Sequence, residues 1–283
     1  MIPKMLHFVN LTNESPYAGV GMMGNIFIVC SALYKLQGDK VCVNGSTVPP
    51  TTFYDKEYVN DNNINNAWEC YFENKWESNE GYDDINLSPD NQSRVLNYSG
   101  TPNTHISPHV LLIRELFFNN FSVKETIMNE VDNFANKNLT SNTLGIHWRG
   151  SDMANAGRER VNTYVNLKSQ ISHIINANPH IDSIFIAADD QTIITSLEKD
   201  FEKPIYYTDC HRSTQHNKHL TPFDRYRDDR KYHIFKVSKE VLVDTLILTK
   251  CTYFLRSYTS SVSECVLLLD EENNIKHTFI QES

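Results

Sequence analysis

The residues with the strongest chemical character stand just after short apolar runs. Leu144-Gly-Ile-His-Trp148 contains His147 and is followed at once by Arg149. Ser183-Ile-Phe-Ile-Ala-Ala188 is followed by Asp189 and Asp190, and Pro204-Ile-Tyr-Tyr207 by Asp209, His211 and Arg212. Thr252-Tyr-Phe-Leu255 leads into a hydroxyl-rich run, Ser257 to Ser263. A guanidinium at the end of an apolar strand can grip a diphosphate with two parallel N–H donors and neutralise it as a leaving group. Hydroxyls and free backbone N–H groups at a helix start also favour phosphate. Taken alone, the Ser/Thr run reads as a plain helix cap. A polar group at every strand end, an arginine among them, favours a site for a polar, phosphate-bearing ligand.

These residues need strands and helices to hold them. The apolar runs alternate with helical patterns at Tyr164–Ala177, Thr192–Lys199 and Val237–Thr249, which implies a parallel sheet in an α/β layer. In open sheets of that kind, ligands sit beyond the carboxyl ends of the strands. The N-terminal part begins in the same way. Met5–Asn10 reads as a strand, Gly19, Gly21 and Gly24 as a glycine-rich turn, the run from Asn25 as a buried helix closed near Gly38, and Val41–Asn44 as the next strand. Residues 49–105 are rich in Asn, Asp, Ser and Pro and read as loops and short helices, and 108–136 reads as helical. The polar patch Asn136–Asn142 is the expected link, giving an N-terminal Rossmann-like domain at 1–138 and a C-terminal domain at 139–283.

Composition narrows the function. With 283 residues, 40% of them hydrophobic, the chain can bury a substantial core. The net charge of -9 repels phosphate backbones, so nucleic acid is not an expected partner. The N-terminal apolar run is too short for a signal sequence or a membrane span, and a cytoplasmic protein is expected. The six cysteines form no C-x-x-C pair, and Cys30, Cys42 and Cys265 lie in apolar runs, as reduced core thiols do. The spacing of His211, His216 and His219 matches no standard zinc pattern, so no metal is expected. The segment Asp224–Lys231 reads as a solvated charged stretch. Gly21-Met-Met-Gly24-Asn25 is neither a full dinucleotide fingerprint nor a Walker motif.

In order along the chain, these residues resemble the fucosyltransferase-like glycosyltransferases of GT-B fold. That group spans the α1,2- and α1,6-fucosyltransferases and the protein O-fucosyltransferases. Gly21-Met-Met-Gly24-Asn25-Ile-Phe27 is similar to their G-x-x-G-N-x-F turn, and Tyr71-Phe72 with Glu73 to the aromatic motif of the α1,2 branch. Gly145-Ile-His147-Trp-Arg149-Gly-Ser-Asp152 resembles their H-x-R-x-x-D motif, Ile184 to Asp190 the strand ending in paired Asp, and Asp244 to Ser263 the helix–strand–serine donor motif.

The resemblance implies two Rossmann-like domains facing a central cleft, with the acceptor on the first and the donor on the second. It implies inverting transfer from a nucleotide sugar to a glycan acceptor, without an obligatory metal or other cofactor. Arg149 would hold the donor diphosphate, Ser260 and Ser261 the phosphate or nearby ribose, and Asp190 a nucleotide contact or a structural place. The donor-binding set is Gly24, Asn25, His147, Arg149, Asp152, Arg158, Asp189, Asp190, Asp209, Ser260 and Ser261. Gly150 stands where many fucosyltransferases carry a second arginine, so UDP-xylose is weighed beside GDP-fucose as donor. The catalytic pair is Arg149 with a general base, for which Glu73 is the first candidate because it follows aromatics suited to a sugar ring. As an isolated surface carboxylate Glu73 needs no such role, and Glu14 is the next candidate. A non-catalytic nucleotide-sugar or glycan-binding protein of the same fold is the alternative.

Overall fold

The computed structural model describes residues 6–10, 22–36, 40–44, 55–76, 84–85, 108–149, 163–212, 230–257 and 260–280. The chain divides into two compact units. One comprises Met1–Ser99, Ser107–Asn129 and Arg225–Leu242, the other Gly100–Ile106, Glu130–Asp224 and Val243–Ser283.

In the first unit, β1 (Leu6–Asn10) lies between β2 (Lys40–Asn44) and β4 (Asp84–Ile85), parallel to both. Helix α1 (Met22–Lys35) joins β1 to β2. It starts at Met22, earlier than the expected start at Asn25, and takes in Gly24, so Gly24 is a helix residue and not part of a turn. The reason is burial: Met22, Met23, Ile26, Val29 and Leu33 recur at helical spacing and are all buried. A helical glycine costs only about 1 kcal/mol, less than the gain from burying such side chains, about 1.5–3 kcal/mol each.

After α2 (Lys56–Asp61), a short 3-10 turn at Ala67–Cys70 leads into β3 (Phe72–Asn74). Helix α3 (Pro108–Asn120) packs on α1. The apparently continuous helix at 108–136 is interrupted. Residues Phe121–Val123 form β5, antiparallel to β3, and α4 (Glu125–Asn138) follows. Phe121 and Val123 are buried while Ser122 is half-buried, which is strand alternation. Stacked and edge-on rings of Trp68, Phe72, Phe117 and Phe121 fix this strand pair, with Trp68 and Phe72 centroids 4.3 Å apart. The outer edge of β2 is met by side-chain amides. Asn120 Oδ1 accepts from Val41 N at 2.8 Å, Asn74 Oδ1 from Val43 N at 3.1 Å, and Asn66 Nδ2 donates to Val43 O at 2.7 Å.

The second unit is built on a five-stranded, wholly parallel sheet. Its strands are β6 (Thr143–Trp148), β7 (Ser183–Ala188), β8 (Ile205–Tyr206), β9 (Tyr253–Arg256) and β10 (His277–Ile280), in the order β10-β9-β6-β7-β8. The helices are α5 (Tyr164–Ala177), α6 (Gln191–Asp200), the part of α7 (His233–Thr249) from Val243 on, and α8 (Ser261–Leu269). Every residue of β6 and β7 is buried, as expected for strands covered on both faces. Leu144, Ile146, Trp148, Tyr253 and Leu255 join one apolar cluster with Leu167 and Ile171 of α5 and Ile193, Ile194 and Leu197 of α6. On the other face Gly145 lies against Leu248 and Cys251.

Strand order decides where a ligand belongs. From β6 the chain steps to β7 and β8 on one side, then returns to place β9 and β10 on the other. The direction of winding therefore reverses between β6 and β9, and the crevice beyond their carboxyl ends is where such sheets bind ligands.

Candidate functional site

At that reversal a single hydroxyl ties the two strand ends together. Ser257, the residue after β9, donates from Oγ to His147 O at 2.9 Å and accepts from Arg149 N at 3.2 Å. The backbone of Arg149 is thus held by the neighbouring strand. His147 is buried, and its Nδ1 lies 2.8 Å from Ser263 Oγ in the first turn of α8. Ser260 is the N-cap of α8, with extended backbone, yet its side chain makes no capping bond. Ser260 is 1% exposed, and its hydroxyl has no hydrogen-bond partner among the described residues. An unmade buried hydroxyl bond costs about 1–3 kcal/mol. A helix start adds free N–H groups and the positive end of the helix dipole. The two features together suit an anionic oxygen.

The carboxylates after β7 and β8 are distributed differently. Asp190 is buried and caps α6, its Oδ1 accepting from Thr192 N at 2.8 Å and from Thr192 Oγ1 at 2.7 Å. Its structural place is therefore on view. Asp189 is half-buried at the same strand end, and Asp209 is exposed beyond β8. Arg212 braces these loops from its guanidinium, Nε donating to Ala188 O at 3.1 Å and Nη1 to Thr208 O at 2.7 Å. Thr208 Oγ1 donates to the buried Asp244 of α7 at 2.5 Å.

The structure thus places His147 and Arg149 at the end of β6, with Ser257 bonded to both backbones and Ser263 to the His147 ring, Ser260 and Ser261 at the start of α8, and Asp189 and Asp190 at the end of β7. Gly24, Asn25 and Glu73 belong to the first unit. Gly24 and Asn25 are buried in α1, whereas Glu73 is exposed on β3 opposite Ser122. Asp152, Arg158, His216 and His219 lie outside the described residues, as do Glu14 and the greater part of 224–231. Of that last segment, Arg230 is bound to Glu240 at 2.6 Å and Lys231 to Asp61 at 3.1 Å. Sequence reasoning missed the bridging role of Ser257 and the Ser263 partner of His147.

All six cysteines are free and five are buried. Burial pushes the Cys30 and Cys251 thiols up, that of Cys42 to about 11 and that of Cys70 to about 12. Neutral buried thiols are poor nucleophiles. Among the described residues, no group of three or more His, Cys, Asp or Glu side chains is placed to hold a metal ion. Among them too, no helix is long and apolar enough to cross a membrane.

No protein-family model and no curated protein matches this sequence. Solved structures do. The α-1,6-fucosyltransferase NodZ co-crystallised with GDP matches with a TM-score of 0.52 and 13% identity, over 93% of this chain and 92% of that one. The same enzyme soaked with GDP-fucose gives 0.51 and 13% over the same shares. NodZ from Bradyrhizobium gives 0.51 and 14%, over 93% of each chain. The chain shares the fold of a fucosyltransferase. The α/β class and the GT-B fold expected from the sequence are therefore those of this chain, and the likeness at such identities speaks of the fold.

Proposed function

We propose that the chain is a glycosyltransferase that binds a nucleoside diphosphate sugar at the carboxyl ends of β6 and β9 and transfers the sugar to a glycan acceptor. The carrying observation is twofold: Arg149, its backbone N–H held by Ser257, follows β6 where the winding reverses, and the buried Ser260 hydroxyl, without a partner among the described residues, stands at the start of the helix that follows β9. GDP-fucose is the proposed donor, because NodZ, which shares the fold, was solved with GDP-fucose and with GDP. UDP-xylose is the second donor to be tested.

In this reading the acceptor oxygen attacks the anomeric carbon from the face opposite the diphosphate, with inversion. As the sugar–oxygen bond breaks, charge gathers on the leaving diphosphate, and Arg149 with the α8 N-terminus stabilises it. These groups take the part a metal would otherwise play, so transfer is proposed to need none. His147 is oriented by Ser263, and Asp190 keeps the β7 strand end in shape. Asp152, Arg158, Asp189, Asp209 and Ser261 complete the proposed donor set. The acceptor hydroxyl also needs a base, and Glu73 is the carboxylate proposed. Cytoplasm is the proposed compartment, since six free thiols suit a reducing one.

A panel of nucleoside diphosphates and their sugars, read by thermal shift with EDTA present, tests the proposal. A ligand at a hundred times its Kd adds about 2.7 kcal/mol. GDP and GDP-fucose are expected to raise the melting temperature under chelation. No response to any nucleoside diphosphate would remove the donor site. A response that vanishes with EDTA and returns with manganese would overturn the metal-free part. Binding without turnover on any acceptor would make the chain a nucleotide-sugar-binding protein.

A further inference from the structure

Ser263 is 1% exposed in the first turn of α8, and its hydroxyl makes one hydrogen bond among the described residues, with His147 Nδ1 at 2.8 Å. A helical serine can bond back to its own helix or help to cap the first turn. Here it reaches across to β6 instead. Strand alternation brings His147 to meet it. Leu144, Ile146 and Trp148 belong to the cluster on the α5 and α6 side, so His147 leaves the sheet on the face where Gly145 lies against Leu248 and Cys251.

Proton counting gives the direction of this bond. A hydroxyl has one proton and two lone pairs, and a neutral imidazole has one N–H donor and one acceptor nitrogen. If Nδ1 carried the ring proton and donated it to Ser263, the serine's own proton would be buried without an acceptor. If the hydroxyl donates to Nδ1, its proton is placed and only a lone pair goes unused. Buried donors left without an acceptor are the rarer of the two. The second arrangement puts the ring proton on Nε2. It serves the neutral ring alone, because an imidazolium has no lone pair at Nδ1.

We infer that Ser263 is a positioning residue, whose hydroxyl fixes His147 in the Nε2–H tautomer so that a neutral imidazole offers an N–H to the donor diphosphate. For its ligand the inference rests on the nucleotide-sugar reading above; for the tautomer it rests on the Ser263 bond. Phosphate oxygens only accept hydrogen bonds, so the tautomer decides whether the ring attracts them. Ser260 and Ser263 are the N-cap and third residue of α8, the two positions whose side chains meet in a capping box. The His147 ring is thus tied to the turn whose N-cap hydroxyl is buried and, among the described residues, without a partner. Ring N–H, hydroxyl and the free N–H groups of a helix start are all donors, as an oxyanion requires.

Nitrogen-15 spectra of the histidine rings read the tautomer directly, because protonated and unprotonated ring nitrogens resonate far apart. The unliganded wild-type chain is measured at neutral pH, with His147 assigned through correlations to its own backbone. The expected result is a proton on Nε2 and a lone pair on Nδ1. A proton on Nδ1, or on both nitrogens, would overturn the inference. Ser263→Ala should let the two tautomers mix and weaken GDP and inorganic pyrophosphate about two- to ten-fold, the reach of one hydrogen bond. Ser263→Thr keeps the hydroxyl and should restore the tautomer and most of the affinity. A folded Ser263→Ala whose His147 keeps the wild-type tautomer would make Ser263 a scaffold residue, whether or not affinity falls. Should neither variant fold, the wild-type spectrum still decides. If the wild-type chain binds neither ligand while Nε2 carries the proton, the nucleotide reading fails, and the ligand assigned to that N–H fails with it.

Discussion

Replacing Ser257 with alanine should loosen the site from one atom. The Ser257 hydroxyl makes two hydrogen bonds across the β6–β9 reversal, to His147 O at 2.9 Å and from Arg149 N at 3.2 Å. The serine is buried, so water replaces neither bond readily. At about 0.5–1.5 kcal/mol net for each bond, Ser257→Ala should cost about 1–3 kcal/mol. In chains of roughly this size 1 kcal/mol corresponds to about 2–4 °C, so a fall of about 2–12 °C is expected. Nucleotide affinity should drop as well, because Arg149 loses the contact that fixes its backbone. Ser257→Thr keeps the oxygen and should retain most of both properties. Thermal unfolding followed by circular dichroism, with GDP titrated into each variant, gives the two readouts. If Ser257→Ala melts with the wild type and binds GDP equally well, the bridge does not organise the site and the reasoning is refuted.

A Cβ at Gly145 would stand 3.0 Å from Cys251 Cβ, Cys251 Sγ and Leu248 Cδ2, inside the roughly 3.5–4.0 Å that carbon contacts prefer. Gly145→Ala should therefore cost about 1–3 kcal/mol, and the loss should be smaller in a Leu248→Ala background, where part of the clash is gone; a neutral substitution in a denaturant titration would mean that β6 and α7 yield freely. The Tyr164 hydroxyl, 2.7 Å away, and the Lys168 ammonium, 3.0 Å away, hold the Asp200 carboxyl below the usual range. A depressed folded value means that this stability is present above about pH 3.9 and is lost as pH falls through the lowered value. Asp200→Asn should flatten that part of the melting-temperature profile, and an unchanged acid limb would show the pair to be inert.

The second unit was more legible than the first, for physical reasons. Strands covered on both faces show as unbroken apolar runs, so β6, β7 and β9 stand out, and α5 and β7 begin and end where the pattern says. Short pieces that borrow their stability from others leave no such mark. The strand β5 is three residues long between two helices, and what makes it a strand is the aromatic stack with Trp68 and Phe72, distant in sequence. Likewise β10 owes its pairing to β9, and its own run is brief. Gly24 shows a local rule overridden, since a residue that suggests a turn is carried into α1 by the buried side chains around it. At the site, polar residue types after strands were visible, but their division of labour was not. Asp190 proves to cap a helix, and Ser257, one hydroxyl among several in its run, becomes the bridge only once β9 lies beside β6.

The most direct test of the donor site is turnover by Arg149→Lys. Nucleotide release from GDP-fucose would be measured for the wild type and for the variant, per folded molecule, beside GDP affinity and melting temperature. The substitution keeps the charge and removes the second parallel N–H donor, so an interaction that strengthens as the diphosphate departs should suffer more than ground-state binding. The expected result is a melting temperature near that of the wild type, GDP affinity reduced modestly, and turnover reduced far more. A variant with lowered stability but unchanged turnover per folded molecule would make Arg149 a scaffold residue and contradict the assignment of the donor site to the carboxyl ends of β6 and β9.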